Sequence, residues 1–298
     1  MLWLVLTIFA MFLFALIGVI QGAAIKKFSI NGRIYLFYTM FLQGALGCLT
    51  FLFKPIFFHG FFFASISILS GFFFVYGLLP YMKSIEFEEV SRMNPLFNLS
   101  PIFVLILSLI LLNTGLSSSQ LIGFVFLLIG GFLISIKKIK GTIKLSRGFW
   151  YMVLTNLILG FYFIATDYLF KNYDYWSSFA FVQLGILIAA SSLILFRNYS
   201  INKTKNTIKL KRIALIFIFT DAVLSIFAVA LRNVAIKLSS ATIVTSFGGI
   251  QSLFVLIITL LVSFKFSAIL KEETSKKTII LKMFSIALLI LGIYFIVN

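Results

Sequence analysis

The chain of 298 residues is 61% hydrophobic and 17% aromatic, only 11% charged, and has a mean hydropathy of +1.13. Ordinary soluble domains are about 25% charged, so this composition excludes a soluble enzyme, a disordered chain and a secreted disulfide scaffold. The net charge of +17 falls almost entirely between apolar runs, which is typical of membrane proteins rather than of nucleic-acid-binding domains. We therefore expect an integral membrane protein with no nucleic-acid partner.

Ten apolar runs are long enough to cross a bilayer, which takes about 20 helical residues. The first run has no basic segment before it, so we interpret it as a retained helix rather than a signal peptide. The sequence predicts an all-α polytopic membrane protein. In chain order, the predicted spans are 2–25, 34–53, 56–80, 93–112, 117–136, 148–170, 177–196, 213–236, 240–264 and 279–297.

The basic residues are distributed unequally between the two sides of the predicted membrane. Joints that follow odd-numbered spans hold 21 of the 25 Lys and Arg residues. Because cytoplasmic loops carry the excess of basic residues, this count predicts a multi-pass cell-membrane protein with both termini outside.

The two halves of the chain resemble one unit used twice. The run Phe103-Val104-Leu105-Ile106 in the fourth span recurs as Phe254-Val255-Leu256-Ile257 in the ninth, and Gln43 in the second recurs as Gln183 in the seventh. Five spans per half make the halves cross the membrane in opposite senses, as in secondary transporters. We predict two inverted five-helix repeats, over residues 1–140 and 141–298.

Nearly the whole chain resembles the ten-helix EamA-like members of the drug/metabolite transporter superfamily. The most specific stretch runs from 81 to 135: a short charged joint, a polar helix start (SRMNP at 91–95, then Pro101), an apolar helix, a tight turn, and LSSSQLIG at 116–123. The family usually has Gly-Glu at that turn, where this chain has Asn113-Thr114. The resemblance implies cytoplasmic termini, in contrast to the charge count.

The eighth span carries the deepest charge in the predicted membrane. Asp221 lies nine residues beyond Arg212, which places it roughly 14 Å deep. Ser225, Ala228 and Arg232 follow on the same face, with Arg232 about 16 Å from Asp221. Intramembrane charges are usually functional, so we predict substrate-binding roles for Asp221 and Arg232 in a cavity suited to a zwitterionic or amphiphilic solute. The alternatives are an interhelical hydrogen bond for Asp221 and an interfacial position for Arg232.

Further candidates for substrate binding lie on five other spans. Pro95 and Pro101 predict a broken fourth helix, whose amides could bind a solute together with freed backbone carbonyls or could satisfy those carbonyls themselves. We interpret Gln43 and Gln183 as interhelical hydrogen-bonding residues, and Gly248-Gly249 as a site of close backbone approach, for a ligand or for helix packing. Gln21, Tyr76 and Tyr162 lie on helices that line the central cavity in members of the family. The further predicted binding residues are Asn94, Asn98, Gln21, Tyr76, Tyr162, Thr245 and Gln251.

The function predicted from these features is transport. With His59 as the single histidine and Cys48 as the single cysteine, we expect no metal site, no cofactor and no intramembrane metalloprotease. No Gly-x-x-x-x-Gly-Lys-Ser/Thr motif for ATP occurs. We predict a secondary active or facilitative transporter of a small organic metabolite, such as an amino acid or amine. A flippase for a lipid or lipid-linked sugar is the alternative; proton or other ion coupling and a homodimer stay open.

Overall fold

A computed structural model describes residues 1–28, 32–87, 94–135, 147–195, 212–265 and 276–297. Regular structure in these ranges is entirely helical, and each of the ten predicted spans coincides with a helix. The predicted all-α polytopic fold is therefore confirmed. The helices are α1 (Leu2–Phe28), α2 (Gly32–Cys48), α3 (Phe61–Phe87), α4 (Ser100–Leu107), α5 (Ser118–Ser135), α6 (Arg147–Asn172), α7 (Tyr175–Ser192), α8 (Arg212–Leu238), α9 (Ala241–Ser246 and Gly248–Lys265) and α10 (Lys276–Val297).

Six of the described helices are long and apolar enough to cross a membrane: α1, α2 with its following turn Thr50–Phe53, α3, α6, α7 and α8. The other four contain shorter apolar stretches within the described residues. These stretches are Leu96–Leu112, Ser118–Leu133, Ala241–Val255 and Met283–Val297.

Two helices are interrupted at corresponding places in the two halves. The fourth span begins as a 3-10 turn, Asn94–Leu99, becomes α-helical at Ser100 and ends in a π-helical turn, Ser108–Leu112. Asn113 then adopts a left-handed φ of 52°, which Asn tolerates better than most residues. The ninth span breaks at Phe247. The fourth span thus changes its helical form at Ser100 and at Ser108, as expected of a helix that prolines bend or break, and the ninth span is interrupted at Phe247.

The third span begins at Phe61 rather than at the predicted residue 56. Gly60 has a φ of +100°, a conformation open to glycine and closed to a right-handed helix. The helix then continues past Pro80 to Phe87. Pro80 therefore does not end the helix, although it removes one backbone donor from its interior.

Helix neighbours in one half match those in the other. Helix α1 packs against α8 and α9, and α6 packs against α3 and α4; likewise α2 packs against α8, and α7 against α3. In the described residues, the contact of α5 with α9 has no match of similar extent between α10 and α4. Two other extensive contacts, α2 with α7 and α5 with α10, each join a helix to its counterpart. This is the pattern that a pseudo-twofold relation between two five-helix units would produce.

The largest apolar core lies between α3, α6 and α7. Gly71 of α3 and Gly185 of α7 let these two backbones touch, because a Cβ on Gly185 would collide with the carbonyl oxygen of Ile68. Gln183 packs against Gly47 in the neighbouring contact of α2 with α7. The prediction that Gln43 and Gln183 form interhelical hydrogen bonds is wrong. Both side chains are fully buried, and their amide atoms have no hydrogen-bond partner in the described part of the chain.

Candidate functional site

The predicted polar face of α8 is buried along its length. Asp221 and Ala228 are fully buried, and Ser225 and Arg232 are 6% and 7% exposed. Helix α1 runs antiparallel along this face, so Gln21 meets Asp221 and Phe14 meets Arg232. The face therefore carries two buried charges at different depths, with α1 as their common neighbour.

Asp221 forms the first polar centre with three uncharged donors. The Tyr35 hydroxyl donates to Oδ2 at 2.6 Å, Gln21 Nε2 donates to the same oxygen at 3.1 Å, and the Ser225 hydroxyl donates to Oδ1 at 2.9 Å. No cation pairs with Asp221 among the residues that the structure describes. A carboxylate in an apolar interior is thus held by neutral hydrogen bonds from α1, α2 and α8.

Arg232 forms the second polar centre among aromatic rings. Its guanidinium carbon lies 4.9 Å from the ring centres of Phe14 and Phe163 and 5.5 Å from that of Tyr162. Nη2 donates to the Tyr162 hydroxyl at 3.2 Å. Cation–π contacts of this kind contribute about 0.5–2 kcal/mol each, the more so where water is excluded.

An apolar layer separates the two centres. Leu13 and Ile17 of α1 pack against Ala228 of α8, midway between Asp221 and Arg232. The eleven residues between the charges correspond to about 16 Å of helix. The charges therefore make no contact, as the sequence predicts.

The interrupted helices meet α5 and α6 through side-chain amides. Asn98 Nδ2 donates to the carbonyl oxygen of Gly131 at 2.9 Å, and Asn156 Nδ2 donates to that of Leu96 at 2.9 Å. A Cβ on Gly249 would lie 2.8 Å from Gly131 Cα, so the backbones of α5 and α9 approach closely here. Gly249 thus serves helix packing, the second of its two predicted roles.

The remaining predicted binding residues lie away from the two charges. The Tyr76 hydroxyl pairs with Ser192 Oγ at 2.8 Å, and Thr245 donates to the carbonyl of Ala241 in its own helix at 2.8 Å. Gln251 is partly buried in α9 and has no described contact with either charge. The side chain of Asn94 lies outside the described residues. The structure thus joins Gln21 to Asp221 and Tyr162 to Arg232, and leaves the other candidates apart.

Sequence reasoning missed three residues of these centres and, next to Arg232 in the chain, the buried Asn233. Tyr35 gives Asp221 its shortest hydrogen bond, Phe14 and Phe163 contact the Arg232 guanidinium, and Asn233 is fully buried with neither amide atom partnered in the described structure. Apolar and aromatic residues are abundant throughout the chain, so the three aromatic residues give no distinct signal. Asn233 could have been found as a polar residue deep in a predicted span.

Comparison with known proteins relates the first half of the chain to a family of transporters. Residues 1–136 match the EamA-like transporter family. One solved crystal structure shares the fold with a TM-score of 0.73 at 12% identity, over 99% of this chain and 96% of that chain. A search of curated proteins finds no match. The resemblance predicted from the sequence is therefore confirmed over residues 1–136, which hold the first five predicted spans. Over the whole chain, the solved structure shows a shared fold.

Proposed function

We propose that the protein is a secondary transporter of a small organic metabolite, such as an amino acid or amine, that alternates access around the polar face of α8. Two inverted units, residues 1–140 and 141–298, would move against each other. The matching helix neighbours of the two halves and the matching breaks in α4 and α9 support this arrangement. A solute or ion gradient supplies the energy, since the sequence has no P-loop.

The observation that carries the proposal is the burial of Asp221 without a cation. Moving a carboxylate out of water costs several kcal/mol even after relaxation. Hydrogen bonds from Tyr35, Gln21 and Ser225 offset part of that cost. A purely structural acceptor could be uncharged, as an Asn side chain is. The retained acid therefore fits a group that gains and loses a proton during transport.

Proton exchange at Asp221 would couple the gradient to the solute. Burial disfavours the charged carboxylate, whereas its three donors favour it. The balance between these effects depends on whether water reaches the site. An opening of α1 away from α8 would remove the Gln21 hydrogen bond and admit water at the same time, so each change of access would also change the conditions for binding a proton.

Transport by purified protein in liposomes tests this function. A substrate is first selected by thermal shift from amino acids, amines and nucleobases, since a ligand at 100 times its Kd stabilises by about 2.7 kcal/mol. Uptake of that substrate driven by a pH gradient should fall at least ~100-fold in Asp221→Asn. Asp174→Asn, which neutralises a carboxylate between α6 and α7 outside the spans, is the matched control.

If uptake by Asp221→Asn depends on pH in the same way as uptake by the wild type, the proposed role of Asp221 is refuted. Uptake that ignores the pH gradient in the wild type would refute proton coupling and leave facilitated transport in place. Light scattering of the purified protein in detergent would show whether it forms a homodimer.

The proposed location is the cell membrane with both termini outside, as the basic-residue count favours. A reporter that is active on one side of the membrane, fused to either terminus, tests this orientation. Activity on the cytoplasmic side would establish the arrangement that the family resemblance implies.

A lipid flippase finds less support in the described structure. An apolar groove of about 320 Å³ lies between α1 and α9, and no residue of the two charged centres lines it. Flipping of a fluorescent phospholipid by the reconstituted protein, undiminished in Asp221→Asn, would reverse this preference.

A further inference from the structure

Arg232 is a buried cation without a counter-ion in the described structure. Its side chain is 7% exposed, its one described hydrogen bond goes to the neutral Tyr162 hydroxyl, and its Nε is buried with no partner. The three rings around it attract a cation but carry no charge. The guanidinium therefore lies among uncharged groups, in an environment from which water is nearly excluded.

The carboxylates of the described part of the chain are engaged elsewhere. Asp167 pairs with Lys171 at 2.9 Å, Asp174 pairs with His59 at 2.6 Å, and Asp221 accepts three hydrogen bonds about 16 Å from Arg232. In the sequence, all five glutamates fall in the joints after the third and ninth spans. Because successive spans cross the membrane in alternating directions, these joints are predicted to lie on one side of the membrane. Arg232 lies near the C-terminal end of α8, toward the opposite side.

An unpaired buried charge is unfavourable by several kcal/mol, and a substitution by an apolar residue would remove that cost. An ion pair within the described part of the protein therefore does not explain why an arginine occupies position 232. Asn233, next in the chain, is likewise fully buried with both amide atoms unpartnered in the described structure. Two adjacent residues of α8 thus hold unused hydrogen-bonding capacity at one level of the membrane.

We propose that Arg232 binds the carboxylate of a monoanionic organic substrate. This inference rests on the proposed transport function and narrows its substrate class to compounds with a carboxylate, which excludes simple amines. The planar guanidinium matches a carboxylate with two parallel hydrogen bonds. One cation balances one negative charge, whereas a doubly charged phosphate would leave an excess charge in the apolar interior. Phe14, Tyr162 and Phe163 provide rings on which an apolar or aromatic remainder packs.

Binding of matched small molecules to the full-length protein in detergent tests the proposal. The probes are benzoate, phenylacetate and hexanoate, with benzamide and benzylamine as uncharged and cationic controls. Calorimetry and thermal shift should detect the carboxylates and not the controls. Arg232→Gln should weaken carboxylate binding at least ~30-fold, because a buried charge pair loses one partner. Arg232→Lys should bind with intermediate affinity, and Arg147→Gln, at the exposed start of α6, should bind as the wild type does.

Three results would overturn the proposal. These are no binding of any carboxylate probe to the wild type, equal binding of benzamide and benzoate, or unchanged benzoate affinity in Arg232→Gln. If Arg232→Gln did not fold, its benzoate affinity could not be interpreted. The melting temperature of Arg232→Met is therefore measured without ligand. We expect it to melt at or above the wild-type temperature, since apolar replacement of a buried charge is often neutral or stabilising. If Arg232→Met melts at a lower temperature than Arg147→Gln, the charge of Arg232 stabilises the fold, and this result counts against the proposal.

Failure of this inference can be told from failure of the proposed function. Uptake of a solute without a carboxylate, equal in wild type and Arg232→Met and abolished in Asp221→Asn, would leave the transporter intact and overturn the role of Arg232. Carboxylate binding without uptake of any carboxylate would support the Arg232 site and count against transport.

Discussion

Asp221 and Arg232 lie on the same face of α8, both buried and both next to α1, yet their surroundings differ. Asp221 receives three hydrogen bonds from uncharged side chains, whereas Arg232 has one hydrogen bond and three aromatic contacts. The environment of Asp221 suits a group that holds or releases a proton in place. In the described part of the chain, Arg232 leaves its Nε donor without a partner, which suits a group that binds an external anion.

The apolar layer around Ala228 keeps these two roles separate. A direct ion pair between the charges would neutralise both and leave neither available to a ligand or a proton. Because Leu13 and Ile17 fill the space between them, each charge depends on its own neighbours. Three substitutions in those neighbours test the difference, from the largest expected effect to the smallest, and a fourth prediction concerns a charged residue outside the spans.

The largest effect should follow from giving Arg232 a partner within the chain. Ala228→Asp places a carboxylate four residues before Arg232, the same spacing as in the native pair of Asp167 and Lys171. We expect at least ~30-fold weaker benzoate binding by calorimetry, because the guanidinium is then already neutralised. Ala228→Asn has the same size without the charge and should lose much less affinity. Equal losses in both variants would contradict the charge argument.

Removing one donor from Asp221 should have a smaller effect. Tyr35→Phe deletes the 2.6 Å hydrogen bond to Oδ2, and hydrogen bonds to charged groups contribute about 1.5–3 kcal/mol. We expect proton-driven uptake to slow about tenfold in liposomes. Tyr38→Phe, on the same helix and without a described bond to Asp221, should transport normally. A Tyr35→Phe protein with wild-type uptake would show that this hydroxyl does not tune the carboxylate.

The contribution of the aromatic rings to Arg232 should be smaller again. Phe163→Leu keeps an apolar side chain but removes a ring 4.9 Å from the guanidinium, so we expect a loss of about 1 kcal/mol in the free energy of unfolding beyond its packing cost. A double-mutant cycle with Arg232→Met isolates this part. A coupling free energy near zero would mean that the ring only fills space.

The smallest effect concerns the ion pair outside the spans and its dependence on pH. Burial acts to raise the pKa of Asp174, but hydrogen bonds from His59 and the Ser177 backbone outweigh it and hold the pKa below its ordinary value of 3.8. A lowered pKa stabilises the fold above pH 3.8, and this contribution is lost as the pH falls through the lower folded-state value. Asp174→Ala also removes the cap of α7 and should cost about 1 kcal/mol at neutral pH.

Asp174→Asn separates the charge of this residue from its capping role. Asn still caps a helix well, so this variant should lose only a few tenths of a kcal/mol at neutral pH, as exposed ion pairs do. Its melting temperature should approach that of the wild type as the pH falls below 3.8. A gap that persists or widens in acid would contradict the sign of this effect.

Predictions from the sequence agree best with the structure where a residue type has a single physical consequence in a membrane protein. Long apolar runs predict helices because a bilayer leaves no other way to satisfy the backbone, and all ten runs are helical. Asp221 and Arg232 stand out in the sequence for the same reason, since charges are rare in such segments. Asn98, by contrast, is conspicuous in the sequence, yet in the structure it donates to a backbone carbonyl of α5.

The sequence by itself determined the membrane class, the number of helices, the break in the fourth span and the two charges of α8, because hydropathy, proline and charge act locally along the chain. The tertiary structure decided which neighbours those charges receive. Tyr35 meets Asp221, and Phe14 and Phe163 enclose Arg232, only because α1, α2, α6 and α8 pack side by side. In a chain with 38 phenylalanines and 11 tyrosines, no local pattern distinguishes the few rings that contact a charge from the many that contact lipid or fill the core.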